Sequence, residues 1–388
     1  MTRTEISKYS IVITLTCLLL ISSPYIQQTY NNLIKACIEV VIIIFLVING
    51  TLYKSDRKIL TIPLTFFFLT CFSTFRWSGF STRLINNIVT IGSYVIFFLV
   101  FNYCLKRIEP SKVINTIKHN VLFYTCVLDF FVVVTWGKGL GGMDEAVYLL
   151  GNKFITSYMH MAYFALMFFS GKNYKEYKKV VLAYWVYSLA ICKIADCTTG
   201  MIGISVMMIL MFISEKKDGV FNLLKRPIFF IACLIVSNVL LLLTDILTSS
   251  EFFSNFFMKY SHTNTMLSGR LSMYQIALKS IEENWVWGYG INFDIVYQRL
   301  GFGNPQNGLL KILLDYGVIG AVCFTILASF ALNNLKKADY IQLKGPLFFI
   351  YAMLVCSLVE INFSALFYMF LAIITVFAFT KKRISPMT

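Results

Sequence analysis

Apolar residues run along this chain in blocks of roughly twenty, separated by short polar connections. A block of that length, coiled as a helix, crosses a hydrocarbon core of about 30 Å. Spans are expected near residues 10–26, 36–53, 59–75, 84–105, 120–136, 154–171, 180–195, 198–214, 227–247, 308–332, 345–360 and 364–380. Lys193, Asp196 and Thr198-Thr199-Gly200 blur the boundary between the seventh and eighth. The pattern predicts an all-α polytopic membrane protein of about 12 transmembrane helices, with residues 1–388 as a single membrane domain. One connection, residues 248–307, is much longer than the others and forms the one candidate subregion.

Composition agrees with that pattern. The chain is 58% hydrophobic and only 14% charged, with a mean hydropathy of +0.72, which excludes an ordinary soluble domain. Most of the 34 basic residues fall at the termini and in alternate connections, such as Lys54-Arg57-Lys58, Lys106-Arg107 and Lys381-Lys382-Arg383. By the positive-inside rule both termini are cytoplasmic and residues 248–307 lie outside. The net charge of +15 is therefore a topology signal and a match to anionic lipid headgroups. No basic, aromatic-interleaved soluble segment is present to hold nucleic acid. Ser22-Ser23-Pro24-Tyr25 is not a small-x-small cleavage site, so the first span is expected to stay as an anchor.

All ten cysteines fall in or at the ends of apolar spans, which argues against an outer disulfide framework. Cys192 and Cys197 are close enough in sequence to pair, but small buried hydrophobes are the expected reading. Three histidines, His119, His160 and His262, make no metal-ligand spacing, and no loop carries Asp-x-Asp. No metal and no cofactor are expected.

The polar chemistry gathers near the end of the long connection. Leu271, Tyr274, Leu278, Ile281 and Trp285 recur at helical spacing, predicting an amphipathic surface helix over 269–283 with Ser268 as its N-cap. Arg270 then falls in the first turn, where the helix dipole disfavours a cation unless an anion docks there. Asn307-Gly308 before an apolar run is a helix N-cap pattern, and Asn307, Lys311 and Asp315 share one face below it. Lys311 and Asp315 form either an internal ion pair or part of a site, since charges inside a membrane face partners or wet cavities. Arg76 and Arg83 bracket one tight outer hairpin, and Lys153 precedes the sixth span. Glu360 ends the eleventh, where it either serves a site or caps a turn. Glu282, Glu283, Asp294, Asp196 and Glu360 are the carboxylates available as a general base.

The run Ser268-Gly269-Arg270, the stretch Asn284-Trp-Val-Trp-Gly288-Tyr-Gly290, and Asn304-Pro305-Gln306-Asn307-Gly308 leading to Asp315, Gly317 and Gly320 together resemble the signature of the bacterial O-antigen and capsule polymerase/ligase superfamily. The likeness is detailed over about residues 266–322. Members carry a His-Asn pair where this chain has Gln306-Asn307; Gln306 donates a hydrogen bond but takes no proton. Ligases also carry an Arg after a Ser or Thr at the start of the eighth span, and Thr198-Thr199-Gly200-Met201 lacks it. The resemblance implies a metal-independent membrane glycosyltransferase of the bacterial plasma (inner) membrane, acting on undecaprenyl-diphosphate-linked oligosaccharides at the outer face, with a chain-length regulator protein as a partner. It implies that Arg270 and the Gln306-Asn307 pair touch the diphosphate or the acceptor. By their position on the outer side, Glu360 joins Arg270 and Asn307 as a catalytic candidate, and Lys153 and Lys311 join Gln306 as substrate-binding candidates. Arg76 and Arg83 either clamp a second lipid diphosphate or anchor the hairpin at the interface. The missing His and Arg favour a repeat-unit polymerase. A ligase to lipid A-core and a lipid-linked oligosaccharide flippase or other transporter remain the alternatives; no internal repeat of the transporter kind is apparent.

Reporter fusions after residues 80, 145 and 260 are expected to read outside, and fusions after 56, 110, 175, 218 and 340 inside. A cytoplasmic reading at 260 would overturn both the topology and the outer-face function.

Overall fold

A computed structural model of the chain describes residues 3–49, 57–141, 146–170, 174–216, 218–248, 268–301, 304–338 and 341–384. Every expected span overlaps a helix, though the first helix ends at Leu18, short of the expected residue 26, and the end of the second span lies outside the described residues. In chain order these are α1 (Arg3–Leu18), α2 (Gln28–Ile48), α3 (Arg57–Ser78), α4 (Thr82–Leu105), α5 (Pro110–Val134), α6 (Lys153–Met167), α7 (Tyr174–Ile194) and α8 (Thr198–Lys216), followed by the short α9 (Asp218–Leu224) and by α10 (Pro227–Thr248). The long connection contributes α11 (Ser268–Glu283) and α12 (Ile295–Leu300), before α13 (Gly308–Ala338), α14 (Lys344–Cys356) and α15 (Ala365–Ile384). Among the described residues, 6 helices (α2, α3, α4, α5, α8 and α13) are long and apolar enough to cross a membrane, and α1, α10, α14 and α15 hold shorter apolar stretches. The chain is thus a multi-pass helical membrane protein, and the number of spans beyond those six is not fixed by length and composition.

The sequence reading missed a small hairpin. β1 (Val147–Tyr148) pairs antiparallel with β2 (Gly151–Asn152), Val147 opposite Asn152. It anchors by the Tyr148 hydroxyl, which donates to Gly137 O at 3.1 Å. Asn152 then caps α6, its Oδ1 accepting from Ile155 N at 3.2 Å.

Burial sorts the helices. α15 is buried on every face from Leu366 to Ala378, and α4 and α14 are nearly so, which makes these three the centre of the bundle. Tyr94 of α4 stacks on Tyr368 of α15 with centroids 3.9 Å apart, and Phe66 of α3 stacks on the same ring at 5.7 Å. The outer face of α2 instead exposes Leu33, Val40, Val41, Ile44, Val47 and Ile48, an apolar stripe suited to lipid.

One helix is interrupted. Gly317 in α13 has φ 63° and ψ −165°, so the helix breaks after Tyr316. The break frees backbone groups that a bilayer cannot satisfy. The segment 284–290 folds into the gap and supplies them. Tyr289 N donates to Leu314 O at 2.7 Å and Gly290 N to Asp315 O at 2.8 Å; Val318 N donates to Trp285 O at 2.8 Å and Ile319 N to Val286 O at 3.3 Å. The Ser73 hydroxyl of α3 donates to both Trp287 O and Asp315 O. This contact requires glycine twice. A Cβ on Gly317 would lie 2.3 Å from Val286 O, and one on Gly288, at φ 69°, would lie 2.5 Å from Leu314 O.

The expected amphipathic helix forms as α11, rotated from the expected face. Met273, Tyr274 and Ala277 are buried with Leu310 and Leu314 of α13, while Leu278 and Trp285 are exposed. The helix packs down on the upper half of α13, so that neighbour, and not a flat interface, selects its buried stripe.

Gly317→Ala and Gly288→Ala are each expected to lose folded protein in detergent, since left-handed strain of about 1–3 kcal/mol adds to a direct backbone clash. Gly219→Ala, with open space around its Cβ, serves as the control. Monodisperse size-exclusion profiles for both variants would refute the docking argument.

Candidate functional site

A cavity of about 990 Å³ opens at one end of the bundle. That is the upper end of ordinary ligand-site volumes. Its walls come from the connection after α1, the first turns of α2, the β-hairpin, the start of α6, the turn between α7 and α8, residues 304 and 306, and the turn after α14. These connections alternate along the chain with the lysine- and arginine-rich ones. The cleft therefore lies on the face opposite the basic side.

Three expected site residues meet here: Lys153, Gln306 and Glu360 all line the cleft. Lys153 opens α6, and its Nζ donates to Asp196 O at 3.3 Å. Gln306 holds a left-handed φ of 38°, rare for a side-chain-bearing residue. An Asx turn supports it, Gln306 N donating to Asn304 Oδ1 at 2.8 Å. Asp196, on the opposite wall, is also left-handed at φ 51°. Strained positions that a fold maintains point toward function.

The remaining expected residues sit elsewhere. Asn307 is 1% exposed and spends its amide on structure. Its Oδ1 caps α13 by accepting from Leu310 N at 2.9 Å, and its Nδ2 donates to Asn238 Oδ1 at 2.8 Å and Leu358 O at 3.2 Å. Lys311 Nζ donates to the buried Asp315 carboxylate at 2.7 Å, an internal pair one turn above the break. Arg83 lies 5.0 Å from the Phe293 ring centroid, within an aromatic group that includes Trp77 and Tyr289. Arg76 is exposed in the last turn of α3. Arg270 falls in the first turn of α11, and its side chain lies outside the described residues.

The geometry also separates the candidate bases. Glu283 is tied to Arg299 by two hydrogen bonds, which hold its carboxyl below its ordinary range and make it a poor proton acceptor near neutrality. Asp294 caps α12, its Oδ1 accepting from Tyr297 N. Glu360 and Asp196 are the carboxylates among the five that face the cleft.

Several lining residues carried no clear signal in the sequence. Tyr158 is 2% exposed, and its hydroxyl has no hydrogen-bond partner among the described residues while it lines the cleft. Asn31, Asn32 and Lys35 of α2 join it from a helix that reads as an apolar span. Deeper, Asp129 and His160 pair at 2.8 Å, with Tyr187 OH on Asp129 at 2.7 Å and Tyr184 OH and Ser188 Oγ on His160 Nδ1 at 3.0 and 3.1 Å. This network ties α5, α6 and α7 together, and an ionisable residue inside an apolar span was the available hint of it. Among the described residues no group of three metal-ligating side chains forms, and Cys192 and Cys197 are unpaired thiols.

These features define a multi-pass helical membrane protein with a polar, one-sided cleft. Residues 183–325 match the family model described as O-antigen ligase, a likeness that supports the O-antigen polymerase/ligase superfamily. The matched range contains Asp196, Thr198, Thr199, Gln306 and the broken helix; Lys153 and Glu360 join the cleft from outside it. No curated protein matches the chain.

Gln306→Gly is expected to keep parental thermal stability, because glycine accepts the left-handed conformation, while removing the amide from the cleft. Gln306→Val is expected to melt earlier, a β-branched residue being strained there. Equal melting curves for the two variants would remove the conformational argument.

Proposed function

We propose that the protein is a polysaccharide repeat-unit polymerase of the bacterial plasma membrane. It transfers a growing glycan from undecaprenyl diphosphate to a lipid-linked repeat unit at the outer face, for O-antigen or capsule. The observation that carries this reading is the convergence of Lys153, Gln306, Glu360 and Asp196 on one cleft opposite the basic face. In the proposed step a cleft carboxylate, Glu360 first, takes the proton of the acceptor hydroxyl. The hydroxyl oxygen then bonds to the anomeric carbon. The bond from that carbon to the diphosphate oxygen breaks, and the diphosphate leaves with the electron pair. Lys153 and Arg270 are the cations offered to its charge, and no metal takes part in the step. The Arg76/Arg83 hairpin is offered to the diphosphate of the second lipid.

The family model's description favours a second reading, ligation to lipid A-core. Two departures from the ligase pattern weigh against it. Gln306, in place of the His, and Thr198-Thr199, which lack the following Arg, line the same cleft.

A strain lacking the gene is expected to display core with a single repeat unit, or to accumulate lipid-linked single units in a Gram-positive host. Long polymer left on the lipid carrier would make the protein a ligase, and repeat units trapped inside would make it a flippase. Complementation with Glu360→Gln or Arg270→Ala is expected to leave the single-unit phenotype despite normal membrane levels. Lys is expected to replace Arg270 poorly, because a planar fork grips a diphosphate in two places.

A further inference from the structure

The cleft has an apolar annex. A second cavity of about 220 Å³ shares Ser22, Lys35, Thr90, Ile155 and Ser364 with the main one. Beyond that shared rim its walls are chiefly Leu19, Leu20, Tyr94, Leu150, Ala365 and Leu366. Lys35 therefore stands at the junction of a polar chamber and an apolar one. Glu39, one turn deeper on α2, is an electrostatic partner of Lys35 and is buried, fixed by the Ser93 hydroxyl at 2.6 Å. Lys35 thus lines both chambers at their shared rim, with a buried carboxylate one turn away.

Resting on the proposed function, we propose that this junction seats the donor lipid. Lys35 contacts the diphosphate, and the annex receives the first isoprenoid units attached to it. Charge complementarity selects the head, since a phosphate on a hydrocarbon tail is the ligand that needs a cation where polar lining gives way to apolar. Lys153 then stands as a second cation beside the diphosphate, and the chamber walled by Gln306 and Glu360 receives the glycan on the opposite side of the diphosphate from the tail. The scissile bond falls between Lys35 and the cleft carboxylates.

The test measures binding without turnover, using the full chain in nanodiscs and undecaprenyl diphosphate as the probe. Lys35→Gln is expected to weaken binding about tenfold, the loss of a charge-assisted hydrogen bond. Ala365→Phe, which fills the annex, is expected to weaken undecaprenyl diphosphate similarly while leaving inorganic diphosphate binding unchanged. Parental affinity in a folded Lys35→Gln variant would overturn the subsite while leaving the polymerase reading intact. Competition by phosphatidylglycerol at equal concentration would also overturn it, marking the junction as a bilayer-lipid seat. A parent protein that binds no undecaprenyl diphosphate at all would count against the function and the subsite together.

Discussion

The reciprocal pairing of the broken helix α13 with residues 284–290 is the constraint on which the cleft-bearing half of the molecule depends. A helix interrupted at membrane depth leaves carbonyls above the break and N–H groups below it without partners, each costing several kcal/mol in hydrocarbon. Here Leu314 O and Asp315 O accept hydrogen bonds from Tyr289 N and Gly290 N, and Val318 N and Ile319 N donate to Trp285 O and Val286 O. The aromatic-rich connection is thereby drawn into the bundle against α3. The rings of Trp287 and Phe72 meet at 4.9 Å, and those of Trp77 and Tyr289 at the same distance.

This docking fixes what lies on either side of it. α11 follows the docked segment onto Leu310 and Leu314, and α12 packs beside it through Ile295 and Val296. Below residues 304–306, Asn307 fastens the start of α13 to α10 and to the turn after α14. Gln306 is thus presented to the cleft from a rigid base, facing Glu360, which leaves α14 through that same turn. The Lys311–Asp315 pair lies just above the break. A charge at such depth is tolerable when its partner is within hydrogen-bonding distance.

The same logic of satisfied polarity holds at the other wall. Asp129 and His160 sit inside apolar helices, yet Tyr184, Tyr187 and Ser188 complete their hydrogen bonds. That network locks α6 between α5 and α7, and α6 carries Lys153 and Tyr158 to the cleft. Rigid support of this kind is what a site needs when its reacting groups come from distant parts of a chain.

Apolar periodicity alone determined the helices, because a bilayer leaves a backbone few other ways to bond. The alternation of basic connections likewise separated two faces, and the cleft lies on one of them. The glycine- and aromatic-rich motif was legible as chemistry, but its face and partners were not. A stripe at helical spacing shows that α11 is amphipathic without showing what it meets: Tyr274 and Ile281 turn to α13, while Leu278 and Trp285 stay exposed. Gly317 read as part of the motif entering a continuous span, and nothing local announced a break, since the break exists only where residues 284–290 arrive to bond it. Asn307 and Lys311 carried the right residue types for a site, yet close neighbours in space, Asn238 and Asp315, bind them to structure. Asn31 and Lys35, just before the expected second span, and Tyr158, inside the sixth, became cleft walls. Only tertiary packing brings together groups more than three hundred residues apart, because side-chain proximity across helices is set by interhelical contacts that no single stretch of sequence encodes.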